Sequence, residues 1–412
     1  MYYIDFSSVR GGQLTEALER TIVRLSPNEP TCQLFSGHIG CGKSTELLRL
    51  KSNLELQGFY VVYFESTDYL DMADVDITDI LLAIIRRVSE SLEEIGIRLS
   101  SNYFSHILNE ISDLLNVPIS SSSTMNISTG ISEVGRRARV SPKIRSQLRQ
   151  YLEPRTNSIL EAINVLLRYA TEKLMRQGKK GIAILIDNLD RIDSRSTIAG
   201  RSQPEYIFID RGEQLRALDC HLVYTVPISV IFSNDGETLK NRLGGGIRPK
   251  VLPMIPVKHR DGSRHEEGMS LLRQMVLARA FPRANTAQRF NLIYEIFDSP
   301  ETLDRLCFIS GGHVRNLLGL LYRCLQEEDP PFSRSLLEKM IRETRDVLVL
   351  SISEREWKFL IEVVKTQIVS SDKDLWTLLR SLFLFEYRDQ QGSWFDINPV
   401  LIETEKFKSF QL

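Results

Sequence analysis

The stretch FSGHIGCGKST, from Phe35 to Thr45, holds the residues whose types and spacing most plainly do chemistry. Gly37, Gly42, Lys43 and Ser44 satisfy G-x-x-x-x-G-K-[ST], with a further glycine at Gly40. Glycines let consecutive backbone N–H groups curl around a phosphate, and the start of a following helix adds partial positive charge. On this reading Gly37, His38, Ile39, Gly40, Cys41, Gly42, Lys43, Ser44 and Thr45 cradle the phosphates of ATP. Lys43 reaches the β- and γ-phosphates, and Ser44 ligates Mg²⁺. The plainer alternative is a glycine turn before an ordinary helix. Thr31 to Phe35 is short and strand-like and Glu46 to Leu54 has helical spacing, the context in which the motif counts.

Such a site needs a second carboxylate at the end of a neighbouring strand. Asp187, which closes the apolar run Ile182 to Ile186, is the candidate to hold the metal with Ser44. Asp190 is a candidate to orient water or support the metal shell, and a turn acid is its bland alternative. Thr225, at the end of another apolar run, is either a sensor of the γ-phosphate or a packed strand residue. Arg315 follows Gly311-Gly312-His313-Val314 at the start of a helix, where a solvent arginine opposes the helix dipole, so a role at the nucleotide is expected. Arg242 and Arg248 flank Gly244-Gly245-Gly246 and are candidates for an arginine finger reaching a neighbouring subunit, or ordinary loop arginines.

The elements that must position these residues alternate strand and helix. Strand-like runs at 31–35, 60–64, 181–186, 221–226 and 251–257 are separated by helical segments, which predicts a parallel sheet. Asp76 opens a helix with Ile80, Leu81, Ile84, Ile85, Val88, Leu92 and Ile95 on one stripe. Ser158 with Glu161 reads as a capping box for the helix before the Asp187 strand. The chain is helical from about His265 to Glu328, and Pro330-Pro331 marks a boundary. A second capping box, Ser353 with Glu356, precedes two helices and a hairpin over 383–397, the pattern of a winged helix. The expected units are 1–262, a phosphate-loop ATPase domain with an insertion at about 101–155; 263–345, a helical lid; and 346–412, a winged-helix domain. The insertion begins Ser-rich at Ser120 to Ser123 and becomes basic, with Arg136, Arg137, Arg139, Lys143, Arg145 and Arg149 and no acid over 135–150. It reads as a solvated, flexible segment or as a contact for DNA phosphates.

At 412 residues, 42% hydrophobic and 25% charged, the composition is that of a globular chain of two or three domains. A net charge of −1 excludes a global field that would recruit nucleic acid or an anionic membrane. The five cysteines and six histidines have no metal or disulfide spacing, which points to a reducing cytoplasm. No apolar run is long enough for a bilayer.

Taken in order, the phosphate loop, ILIDNLDR at 184–191, Thr225, GGHVR at 311–315 and the terminal wing resemble an AAA+ ATPase of the initiator/loader branch related to origin-recognition proteins, adjoining the STAND switch ATPases. That resemblance implies an α/β phosphate-loop fold, ATP and Mg²⁺ at a subunit boundary, and nucleotide-dependent homo-oligomers acting on a partner protein. By it Lys43 and Ser44 are Walker A, Asp187 Walker B, Thr225 sensor 1 and Arg315 sensor 2. One departure matters: the family usually places a water-activating glutamate after the Walker B aspartate, and this chain has Asn188, which cannot be a general base. Slow hydrolysis by an ATP-held switch or loader is the leading expectation. ATP-regulated DNA binding through the wing and basic insertion is the second, and small-molecule phosphotransfer the third.

Overall fold

The computed structural model describes residues 3–115, 127–196, 200–369 and 373–410. After α1 (Leu14–Arg20), β1 (Cys32–Gly37) runs into the phosphate loop and α2 (Lys43–Leu56). β2 (Tyr60–Glu65) and α3 (Ile77–Glu93) follow. Then come α4 (Asn102–Leu114), α5 (Ile127–Val140), α6 (Pro142–Leu152) and α7 (Thr156–Arg176). β3 (Ile182–Asp187), β4 (His221–Thr225) and β5 (Lys250–Leu252) complete a sheet of order β2-β3-β4-β1-β5, parallel throughout. The five apolar runs thus form one phosphate-loop α/β sheet, as their alternation with helices predicts. β5 is shorter than expected because Pro253 and Pro256 cannot donate to a ladder, and it lies at the sheet edge.

Both faces of this sheet are covered, which is why its strands read as continuous apolar runs. On one side Leu34, Val62, Ile184 and Leu222 join the stripe of α3 and the apolar face of α7. On the other Phe35, Val61, Leu185 and Val223 pack on Leu47, Leu50 and Leu54 of α2. Asp76 caps α3 in a reciprocal box with Asp79. The box expected at Ser158 does not form. α7 starts three residues earlier, after Arg155, so Ser158 lies inside the first turn.

The basic insertion is also corrected. It is helical, and Ile127, Ile131, Val134, Leu148 and Leu152 are buried against α3, so it is not a solvated flexible segment. Its charges are partnered from outside the stretch. Arg149 donates to Asp74 at 2.5 Å and to Asp79 at 3.4 Å, while Arg145 pairs with Asp71 at 2.8 Å. Arg136 and Arg137 share Glu133. Lys143 is exposed. The Arg139 side chain and Ser120 to Ser123 lie outside the described residues.

A second core holds α8 (Glu266–Ala280), α9 (Pro300–Ile309), α10 (Val314–Glu327) and α11 (Arg334–Leu350). Phe6 and Val9 from the N-terminal segment are buried in it. The remaining residues form α12 (Glu354–Thr366), capped by the Ser353–Glu356 box, α13 (Lys373–Arg380) and an antiparallel hairpin of β6 (Leu384–Asp389) and β7 (Gly392–Ile397). Leu384, Phe395 and Ile397 pack with Trp357 and Leu360, whereas Phe385, Tyr387 and Trp394 are buried in the core beneath the phosphate loop. The hairpin therefore joins the C-terminal helices to the sheet domain. Among the described residues no helix is long and apolar enough to cross a membrane.

Candidate functional site

The carboxyl ends of parallel strands are where open α/β sheets bind ligands, and this sheet gathers polar residues there. Glu65 ends β2 directly beside Asp187 at the end of β3, Thr225 ends β4, and Gly37 ends β1. Gly37, Gly40 and Gly42 all have positive φ. Gly42 is the left-handed N-cap of α2 at φ 109°, a conformation that turns the loop into the helix without the steric cost other residues meet.

Lys43 lies buried under the loop. Its ammonium donates to the carbonyls of Gly37 and His38, each at 2.9 Å, and pairs with Asp190 at 2.9 Å. Burial works against the charge, yet the Asp190 carboxylate holds the Lys43 pKa above its ordinary value. Lys43 thereby braces the loop from inside. The Oδ1 atom of Asp190 is buried with no hydrogen-bond partner.

Asp187 is almost wholly buried. Its Oδ1 accepts from the backbone N–H of Asn188 at 2.7 Å, and its Oδ2 accepts from the Tyr63 hydroxyl at 3.0 Å. Asn188 adopts left-handed φ of 63°, which asparagine tolerates better than most residues, and its amide donates to Glu65 Oε2 at 2.7 Å. The Thr225 hydroxyl is spent on backbone: it accepts from Leu189 N–H at 3.0 Å and donates to the Ile186 carbonyl at 3.3 Å. It pins the turn that carries Asn188 and Asp190.

The loop, this turn and the helical core enclose a cleft of about 520 Å³. Ile39, Gly40, Gly42, Lys43, Ser44 and Thr45 form one wall, Asn188, Asp190 and Arg191 the floor, and Arg279, Val314, Arg315 and Tyr322 the far wall. A cleft of this size suits a nucleotide. The oxygen donors suit a small hard cation such as Mg²⁺: the Ser44 hydroxyl, the lone pairs left on Asp187 and the orphaned Asp190 oxygen. Arg242 and Arg248 do not line the cleft. They pair with Glu213 and Glu237 on an exposed surface.

Two of the loop residues face away from the cleft. The Cys41 thiol is buried towards the Leu252 carbonyl. His38 reaches into the C-terminal unit: its Nε2 accepts from the Glu386 N–H at 2.9 Å, so its Nδ1 carries the proton and donates to the Leu379 carbonyl at 3.2 Å. From the other side His313 accepts from Asn316 N–H and donates through Nε2 to the Ile39 carbonyl at 2.8 Å. Phe385 sits between the two imidazoles, 5.9 Å from His38 and 5.8 Å from His313 by ring centroids. Two further bonds fasten the loop: Arg315 N–H to the Gly40 carbonyl at 3.2 Å, and Arg10 to the Cys41 carbonyl at 2.9 Å.

Sequence reasoning missed Glu65, Arg191 and Arg279. Glu65 alone had a signal: a carboxylate directly after an apolar strand, the same signature that singled out Asp187.

The closeness of Gly40 to α10 leads to a prediction. A Cβ at Gly40 would stand 2.8 Å from Arg315 Cβ, at a φ of +89°. Gly40→Ala is expected to push α10 off the loop and weaken ATP binding roughly 5- to 150-fold, from strain and lost contact together costing roughly 1–3 kcal/mol. Titration with a fluorescent ATP analogue checks it, and unchanged affinity would count against this wall as part of the site.

No family model and no curated protein matches the chain. Solved structures similar to it include the Aeropyrum pernix ORC2 protein in ADPNP–ADP complexes, at 11% identity and TM-score 0.42, covering 96% of this chain and 91% of that one. A Walker-type ATPase of Pyrococcus abyssi is similar at 13% identity and TM-score 0.44, with 94% and 93% covered. Cdc6p from Pyrobaculum aerophilum is similar at 14% identity and TM-score 0.37, with 97% and 91% covered.

Proposed function

We propose that the protein is an ATP-binding switch of the AAA+ kind, whose nucleotide state controls assembly with further copies of itself and action on a partner protein. The observation that carries this reading is the convergence on one cleft of the phosphate loop, the turn through Asn188, Asp190 and Arg191, and the lid arginine Arg315, with the same loop fastened through His38 to the C-terminal hairpin. Lys43 and the N–H groups of residues 37 to 45 bind the triphosphate, and Ser44 with Asp187 holds Mg²⁺, which when bound offsets charge on the phosphate oxygens. Asp190 orients water or the metal shell. Arg315 contacts the nucleotide from the lid. Thr225 acts by holding the 187–190 turn in register, not by touching phosphate. Arg242 or Arg248 reaches the nucleotide of an adjoining copy.

Units 1–262, 263–345 and 346–412 serve as ATPase domain, lid and winged helix in this scheme. With Asn188 after Asp187, hydrolysis is slow and the ATP state long-lived. The DNA-binding alternative gains nothing from the site, since Arg145 and Arg149 are committed to the aspartates beside α3 and the hairpin aromatics are buried. Native mass spectrometry with ATP, with ADP and without nucleotide tests the proposal. The mass distribution is expected to change with ATP and to stop changing in Lys43→Ala; a mass indifferent to nucleotide sinks the switch.

A further inference from the structure

Three carboxylates touch the residues on which the site turns: Asp187 accepts from Asn188 N–H, Asp190 pairs with Lys43, and Glu65 accepts from the Asn188 side chain. They are not equivalent. Asp187 is 1% exposed, and each of its oxygens already accepts one hydrogen bond, from Asn188 and from Tyr63. Asp190 is tied to the ammonium of Lys43, whose charge the site needs for phosphate. Glu65 is half-buried, and among the described residues no partner is found for its Oε1. It is held 2.7 Å from an amide that lines the cleft, at the strand end beside Asp187 in the parallel ladder.

We infer that Glu65 is the catalytic base of this protein, supplying from β2 the carboxylate that Asn188 does not supply from β3. This rests on the reading of the cleft as an ATP site. The amide and the carboxylate have a division of labour. Asn188, an amide, donates one N–H to Glu65 and has a second N–H and a carbonyl with which to hold water. Glu65 offers a carboxylate, a group that can accept a proton where an amide cannot. In the step itself the water oxygen bonds to the γ-phosphorus as the bond from that phosphorus to the β–γ bridging oxygen breaks. The electron pair of that bond stays on ADP, and the proton shed by water passes to the Glu65 carboxylate. Products are ADP and inorganic phosphate, and Glu65 then returns its proton to solvent. The proton goes to Oε1, the oxygen that Asn188 leaves open, while the hydrogen bond to Oε2 holds the carboxylate in place.

The test uses the full chain with Mg·ATP. Glu65→Gln keeps the size and the acceptor for Asn188 but removes the base. It is expected to lower the hydrolysis rate at least about 100-fold, the usual contribution of a positioned base, while a fluorescent ATP analogue binds within about threefold of the unaltered protein. Nucleotide recovered from Glu65→Gln after incubation is expected to be ATP rather than ADP. The double variant Glu65→Asn with Asn188→Glu, which exchanges the two groups, is expected to recover hydrolysis at least about tenfold over Glu65→Gln. Hydrolysis by Glu65→Gln within about threefold of the unaltered protein overturns the assignment, including the case in which both bind ATP and neither hydrolyses it. Failure of the unaltered protein to bind the analogue overturns the reading of the cleft, an outcome separate from the first.

Discussion

Lys43→Ala is expected to remove both nucleotide affinity and part of the fold's stability. A phosphate-loop lysine serves the ligand by reaching its β- and γ-phosphates. Here its ammonium is also a brace, buried with three oxygen partners, one of them the equally buried Asp190. Loss of the lysine is expected to weaken ATP binding roughly 10- to 100-fold, as one or two charge-assisted contacts to phosphate are worth. It also leaves Asp190 without its counter-charge and with both oxygens short of partners. Removing one member of a buried pair typically costs about 3–5 kcal/mol. Lys43→Ala with Asp190→Asn is expected to regain most of that stability and none of the affinity. Urea unfolding of the two variants and the unaltered protein, with fluorescent nucleotide titration, separates the two roles. An unfolding midpoint for Lys43→Ala equal to that of the unaltered protein sinks the brace.

Mild acid is expected to loosen the joint between phosphate loop and hairpin. Burial is the main reason that His38 is held at about 3 and His313 at about 4, with the neighbouring charges of Lys43 and Arg315 adding to it. His221 is held at about 4 by burial. In the unfolded chain each titrates near pH 6.5. A histidine whose folded pKa is depressed contributes its full stability above pH 6.5 and loses it as the pH falls from there towards the folded value. Glu386, raised to about 7 chiefly by burial, acts in the opposite direction: it adds stability as the pH falls from about 7 towards 4.5. Arg10, kept buried beside it, stays charged throughout. Three histidines against one carboxyl leave a net loss, roughly 2–3 kcal/mol between pH 7 and 5.5. Trp394, stacked on Tyr387 in the hairpin, is a natural probe. Its unfolding midpoint in urea is expected to drop over that interval, and less so in His38→Gln, which keeps a donor and an acceptor but does not titrate. A midpoint that does not move with pH removes the basis for the claim.

These two predictions rest on contacts of opposite legibility. Gly37, Lys43, Ser44, Asp187 and the strand-helix alternation follow from local spacing, because a phosphate loop and the apolar runs of a covered parallel sheet are written in consecutive residues. The hairpin was equally plain from its two alternating runs. His38 was read as one more residue of the cradle, since nothing near it in the chain shows that its partners are Leu379 and Glu386, more than three hundred positions away. Arg145 and Arg149 misled for the same reason. Their neighbours hold no acid, whereas the aspartates that engage them stand before and within α3. Glu65 was legible in type and place, but a strand-ending glutamate acquires meaning only when the next strand brings an asparagine against it.

The packing of Phe385 between His38 and His313 has a thermodynamic corollary. One imidazole belongs to the loop between β1 and α2 and the other caps α10, so the hairpin ring packs behind both walls of the cleft. A nucleotide that shifts the loop relative to α10 changes the free energy of seating that ring. By linkage, any macromolecule that pulls on the hairpin must alter nucleotide affinity by the same factor by which nucleotide alters its own grip. For a coupling of about 1.4 kcal/mol the factor is roughly ten in each direction. The ring is thus a lever with equal arms, and affinity measured at one end reports force applied at the other.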